Sequence, residues 1–379
     1  MSNIKVPVFK PWIESGEYSA AHSALENGWL GMGSYVCEFE ERIKKLLDTE
    51  DRHVVAVSTG HAAIHLSLLL MEIGAGDEVI TPAFNNAADL QAIVATGAHP
   101  VFCDIDNNTL CIDLDKAQEL VTERTKAIIV MDYGCMLCDH DKVSEFSKRN
   151  NLRVLHDAAH SFGSKYINKA VGSFSDITIF SFDPVKNITC IDGGAIIVKR
   201  KHDVKRLHEM RLIGMTQSAD LMYKNSRAWE YDIKSLGFRY HMPNLHASIG
   251  ISQLDRLNEI SLSRRESCLR YTESFCNIKD ILVPQTDFIN ITPFLYYIRV
   301  LNNRRDQLRD YLSKLGIDTG IHWQPANHFT LFQNCKKGDL SITENVYSQI
   351  ISLPLHSNMK KDTVQYVIDG VNSFFDGLI

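Results

Sequence analysis

Residues 53–83 read HVVAVSTGHAAIHLSLLLMEIGAGDEVITPA, and the pattern of this stretch decides the fold. An apolar run over 53–58 reads as a strand, a small-residue turn follows, an apolar helix covers 61–74, and a second strand covers 77–83. A strand, a helix and a strand at this spacing make a right-handed crossover between parallel strands. The alternation continues outward from there, with a helix over 88–97, strands over 99–105 and 127–133, a helix over 141–150 and a strand over 152–158. It predicts an α/β domain with a largely parallel, doubly wound sheet. Strands over 176–182 and 194–200 are then separated only by a loop, which predicts a mixed sheet.

A chain of 379 residues is too long for one ordinary core, so two domains are expected. The first spans 1–250. The second, 251–379, opens with the charged amphipathic segment ISQLDRLNEISLSRRESCLRYTESF (251–275), which reads as one helix leading from domain to domain. A strand over 294–301 and helices over 304–316 and 361–375 supply a small α+β domain. The chain is 45% hydrophobic and 23% charged, with a net charge of -6, and it has no run of like charge. That disfavours a nucleic-acid or anionic-membrane partner. The start, MSNIKVPVFKPWIESGEYSA, lacks the pattern of a signal peptide, and no run of about 18 apolar residues occurs, so a cytoplasmic protein is expected. Nine cysteines, an odd number, suit a reducing compartment. Cys135 and Cys138 form one Cys-x-x-Cys without a second ligand pair, so they read as ordinary thiols and no metal is expected.

Four places offer chemistry, each with a plainer alternative. The turn at Thr59, Gly60, His61 and Ala62 opens a helix whose N–H groups can hold a phosphate, or Thr59 is only an N-cap. Asp157 ends a buried strand, where ligands bind in open α/β sheets, or it caps the next segment; His160 shares its surroundings. Lys186, in SFDPVKNITCIDGG (181–194), is a surface lysine or a partly desolvated amine able to attack a carbonyl. Ser181 and the run GFRYHM (237–242) add hydroxyl and cationic groups. Together a phosphate cup, a carboxylate and a lysine are what a pyridoxal phosphate enzyme needs.

The order of these blocks resembles the DegT/DnrJ/EryC1/StrS family of sugar-nucleotide aminotransferases. The resemblance is carried by ENGWLGMGSYVCEFEERI (26–43), STGHAAIHLSLLL (58–70), TGAHPVFCDID (96–106), HDAAHSFGS (156–164), GSFSDITIFSFDPVKNITCIDGGAIIV (172–198) and SLPLHSNM (352–359). It implies a type I pyridoxal phosphate fold: a large domain with a mostly parallel seven-stranded mixed sheet and a smaller C-terminal α+β domain. It further implies that Lys186 carries the cofactor and is the catalytic acid and base, that Asp157 faces the pyridine nitrogen, and that His160 lies near the 3-hydroxyl. Thr59, Gly60, His61 and Ser181 then hold the phosphate, His61 through its backbone alone.

Two departures stand out. Where relatives stack an aromatic ring on the cofactor, this chain has Asn86, so either Phe84 swings in or the Asn86 amide covers the ring. Where relatives carry an asparagine that reaches the neighbouring subunit's phosphate, this chain has Arg239, suited to charge-assisted bonds. Trp12, the Gly31–Gly33 turn, His322 and His328 are implied sugar contacts, although packing roles fit them as well. The implied reaction moves an amino group from L-glutamate to a keto group, C4 before C3, of a nucleotide-linked deoxysugar, for amino-sugar, O-antigen or related glycan biosynthesis. The implied assembly is a homodimer with active sites at the interface. A dehydratase branch that replaces the lysine, and a non-catalytic relative, are the alternatives, and both are disfavoured by Lys186. The role of Asp183 is open.

Overall fold

In the computed structural model, which describes residues 6–377, the opening stretch forms β1 (His53–Val57), the helix Gly60–Leu70 and β2 (Glu78–Pro82). Next come β3 (His99–Cys103), β4 (Thr125–Met131) and β5 (Arg153–Asp157), a small hairpin of β6 (Lys165–Tyr166) and β7 (Lys169–Ala170), then β8 (Ile177–Ser181) and β9 (Gly194–Val198). Seven of these strands make one sheet in the order β1-β9-β8-β5-β4-β2-β3. The β2–β3, β2–β4, β4–β5 and β5–β8 pairs are parallel, while β9 runs antiparallel to both β8 and β1. The link between β8 and β9 contains no helix to carry a parallel crossover, and β9 returns beside β8 in the opposite direction. The sheet is therefore mixed, as the sequence pattern predicts.

Alternation along the strands sorts the two faces. Val55 and Val57 of β1 pack with Ile196 and Val198 of β9 against Ile64 and Leu68 of the helix Gly60–Leu70. Val54 and Ala56 face the other way, with Ala195 and Ile197, toward Phe39 and Ile43 of the helix Ser34–Leu46. Glu40 of that helix accepts the Ala56 N–H at 2.8 Å and pairs with fully buried Arg211 at 2.7 Å. Arg211 also donates to the Ala56 carbonyl at 2.5 Å, so one buried ion pair fixes the helix against the edge strand.

The segment expected to be one helix over 251–275 is two, Asn244–Asp255 and Leu257–Phe275, with Arg256 between them at φ -104 and ψ 6. Arg256 lies over the Trp12 ring at 4.2 Å and pairs with Glu17 at 3.3 Å, which ties the break to the N-terminal segment. Leu257 and Ile260 of the second helix join the core of the large sheet, and Cys268, Tyr271 and Phe275 join the core around the C-terminal strands. Those strands, β10 (Ile281–Leu282), β11 (Tyr296–Val300) and β12 (Ile350–Leu353), form an antiparallel sheet with helices Arg305–Lys314, Ser341–Gln349 and Lys361–Asp376. The beginning of the chain closes this part: Val6 donates to the Gly316 carbonyl at 3.1 Å and Val8 accepts from Leu355 at 3.0 Å. No helix among the described residues is long and apolar enough to cross a membrane.

Candidate active site

Strand register gathers the site at one end of the large sheet. Gly194 pairs with both Val57 of β1 and Ser181 of β8, and β5 ends beside β8 at Asp157. Just past β1, Thr59 caps the next helix by accepting the Ala62 N–H at 2.9 Å. The first N–H groups of that helix have no partner within it, and its positive end favours an anion. Glycine is required on both sides of this turn. A Cβ on Gly60 would stand 2.7 Å from the Ser181 Cβ, and a Cβ on Gly194 would stand 2.4 Å from the Thr59 carbonyl oxygen.

Lys186 lies in the loop between β8 and β9. Asp183 shapes that loop: its carboxylate accepts from the Val185 N–H and its carbonyl from the Lys186 N–H, each at 3.0 Å. Lys186 is half-buried, with Nζ 4.2 Å from the Phe294 ring centre and no carboxylate in ion-pair range among the described residues. Loss of solvation lowers the affinity of the amine for its proton to about 8, against the pull of Asp157, Asp183 and Asp89. Asp157 is buried and accepts the Ala159 N–H at 2.9 Å. Burial raises its pKa, while that N–H and Lys186 favour its charge. His160 accepts the Gly134 N–H on Nδ1 at 3.1 Å, which assigns the hydrogen to Nε2. Burial, with Lys186 nearby, keeps its ring neutral, and the ring stacks on Phe294 at 4.3 Å.

These groups border one cavity of about 470 Å³, lined also by Thr59, Gly60, His61 and Ser181. Asn86 lines it too, but its side-chain oxygen caps the helix Ala87–Ala95 by accepting the Ala88 N–H at 2.8 Å. Phe84 does not reach the cavity. It is fully buried, 5.3 Å from the Tyr133 ring, because the hydrophobic cluster around Tyr133 takes up its side chain. His322 is a cavity residue, with Nδ1 2.8 Å from the Ser352 hydroxyl and its pKa lowered to about 4, chiefly by burial. The other implied sugar contacts lie outside this cavity. Trp12 is held by Arg256 and Glu14, Gly31 lies near Arg227, and His328 pairs with Glu344 at 2.9 Å. Arg239 is exposed and also outside it.

Phe9, Phe294 and Trp323 complete the wall and carry no sequence signal, since nothing in an isolated aromatic residue distinguishes a cavity from a core. Asp132, His140 and His156 bring donor atoms within 4.8 Å of one another. The Asp132 carboxylate there faces four groups: the Cys138 N–H at 2.9 Å, His140 at 3.1 Å, His156 at 2.8 Å and Ser161 at 2.6 Å. Those hydrogen bonds account for its burial. Cys135 and Cys138 are buried free thiols.

The residues fit pyridoxal phosphate. A helix start closed in by two glycines that tolerate no side chain suits a phosphate, a buried carboxylate suits a protonated ring nitrogen, and an amine with lowered proton affinity suits an aldehyde. A model of the DegT/DnrJ/EryC1/StrS aminotransferase family matches residues 11–372. The spore coat polysaccharide biosynthesis protein SpsC of Bacillus subtilis is 32% identical over 381 residues, covering 98% of this chain and 97% of SpsC. The aminotransferase TlmJ of Streptoalloteichus hindustanus superposes with a TM-score of 0.91 at 28% identity, over 98% of this chain and 99% of that one. The pyridoxal phosphate form of a putative sugar aminotransferase of Streptococcus pneumoniae superposes with a TM-score of 0.88 at 28% identity, over 99% of each chain.

Proposed function

The chain belongs to the DegT/DnrJ/EryC1/StrS aminotransferase family and is a pyridoxal-phosphate-dependent sugar aminotransferase, and we propose that it carries the amino group of L-glutamate to a nucleotide-linked keto-deoxysugar. One observation carries the reading: a partly desolvated Lys186 amine shares a single cavity with Asp157 and the Gly60 turn. C4 is the position favoured over C3, by family resemblance. The polysaccharide role in the name of SpsC supports a place in glycan biosynthesis.

Bound pyridoxal phosphate supplies an aldehyde for amines and a ring that draws electrons from the neighbouring carbon. The chain does the rest. The helix start at Thr59–His61 and the Ser181 hydroxyl would hold the phosphate, and Asp157, whose charged form the Ala159 N–H and Lys186 favour, would hold a proton on the ring nitrogen. With a proton affinity near neutrality, Nζ of Lys186 can take a proton from the substrate carbon and return it at another atom, the work of one base turned acid. His160, neutral and with Nε2 as donor, offers a hydrogen bond without adding charge. Phe294 and Trp323 keep water from these steps, and His322, which lines the same cavity, is read as the contact to the sugar.

A second copy of the chain completes the assembly in this reading. Trp229 is 89% exposed and Leu236 74%, with Tyr231 and Ile233 between them and Arg239 just beyond. Apolar exposure of that extent on one segment suits burial against a partner, with Arg239 delivered to the phosphate of the other subunit. The test supplies glutamate with a panel of nucleotide-linked 3-keto and 4-keto sugars and follows 2-oxoglutarate. A sugar-dependent release identifies the acceptor, and no release with any member refutes the proposal.

A further inference from the structure

A second buried carboxyl group stands beside Asp157. Asp89 lies in the first turn of the helix Ala87–Ala95 and is wholly buried. Its Oδ2 accepts from the Asn85 amide at 2.6 Å, and Asn85 also donates to the Thr81 hydroxyl at 3.2 Å. Its Oδ1 meets no donor among the described residues, and the Asp89 and Asp157 side chains lie within hydrogen-bonding reach of each other. A buried oxygen without a donor is costly unless it carries the hydrogen itself. Two carboxylates in one dry site cannot both be ionised.

The surroundings decide where the proton resides. Asp157 has the Ala159 N–H and the nearby Lys186, both of which favour its charged form. Asp89 also feels Lys186, but its only hydrogen-bond donor is the neutral Asn85 amide, with no backbone N–H to favour its charge. Asp132 at the end of β4 adds negative charge on the side of Asp157, the neutral His160 adds none, and Lys186 is the one cation that bears on the pair. We propose that Asp89 and Asp157 form a carboxyl pair holding one proton, in which Asp89 donates from Oδ1 to Asp157 and acts as its positioning residue. The cavity then presents one negative charge, on an aspartate whose orientation is fixed from behind. The idea rests on the reading of Asp157 as the partner of the cofactor ring.

The sign of the linkage gives a test without cofactor. A carboxyl whose folded pKa is raised keeps its proton after the unfolded chain has released its own, so stability falls as pH rises above about 4 toward the folded value. Over that window each pH unit costs about tenfold in the folding equilibrium. Asp89→Asn keeps a donor in place and removes the titration. Its folding equilibrium, measured by urea unfolding of the full chain without cofactor, should rise relative to wild type by about tenfold per pH unit over that window. Infrared difference spectra of the wild type should show a carboxylic acid carbonyl stretch persisting above the pH at which ordinary carboxyls ionise. Asp89→Asn should abolish that band and Asp157→Asn should shift it. A band absent from wild type, unchanged in Asp89→Asn or unshifted in Asp157→Asn overturns the pair. Uptake of pyridoxal phosphate by the wild type, followed by absorbance, separates the two ideas: no uptake defeats the functional reading, whereas the band judges the pair by itself.

Discussion

Gly194→Ala puts the phosphate turn to a direct test. The φ of Gly194 is outside the left-handed region, so alanine suits the backbone, but its Cβ would lie 2.4 Å from the Thr59 carbonyl oxygen and 2.9 Å from the Gly60 nitrogen. Ordinary contact begins near 3.4 Å, so the turn must retreat by about 1 Å. Both neighbours are backbone at a capped helix start, and no rotamer change relieves them. Overpacking costs about 1–3 kcal/mol and the loss of a strand glycine returns roughly 0.5–1, so a net destabilisation on the order of 1–2 kcal/mol is expected. The effect on cofactor is larger than its share of stability. A shift of about 1 Å breaks a hydrogen bond from the turn to phosphate, a loss of roughly 1.5–3 kcal/mol. That equals about 10- to 150-fold in dissociation constant. Titration of cofactor-free protein with pyridoxal phosphate, followed by absorbance, reads the affinity, and urea unfolding of the same sample reads the stability. Binding within twofold of wild type with an unchanged unfolding midpoint would refute the role given to this turn.

Other outcomes follow from the same structure. Lys186→Met should raise the stability of cofactor-free protein near pH 7, because a lysine whose pKa is lowered to about 8 disfavours the folded state while protonated. The gain should shrink as pH climbs from about 8 toward the ordinary lysine value, and unfolding curves across that range check the sign. Glu40→Ala strands the fully buried Arg211 guanidinium and should cost about 3–5 kcal/mol in denaturant unfolding. Leu236→Asp should shift sedimentation toward a monomer if the exposed segment meets a second copy, and an unchanged sedimentation coefficient would remove that surface from the interface.

Much of this was legible in the sequence because strand alternation and turn chemistry are local. Thr59, Asp157 and Lys186 are each flanked by their own strand, and the strand ends alone bring them together. Phe84 and Asn86 show the limit. Which of two neighbours faces a cavity depends on the turn after β2, and Asn86 is drawn into capping the helix that begins there. Asp89 gave no signal, since an aspartate in the first turn of a helix reads as a dipole-favoured surface residue, whereas in the fold it is wholly buried. Phe294 and Trp323 enter from the C-terminal region, by packing that no local pattern encodes. The break at Arg256 was hidden for a similar reason, because its partners Trp12 and Glu17 lie at the other end of the chain.

The pairing of the beginning of the chain with residues near its end has a bearing on biosynthesis. Val6 and Val8 are bonded to Gly316 and Leu355, so the segment that holds them has no place to dock until those much later residues have emerged from the ribosome. The large sheet, whose last strand is complete by Val198, has all its strands much earlier. Translation therefore imposes an order: Lys186 and the turn at Thr59–His61 can come together on the nascent chain, while the wall bearing Phe294 and Trp323 arrives later, with the region that the Val6–Val8 segment clasps.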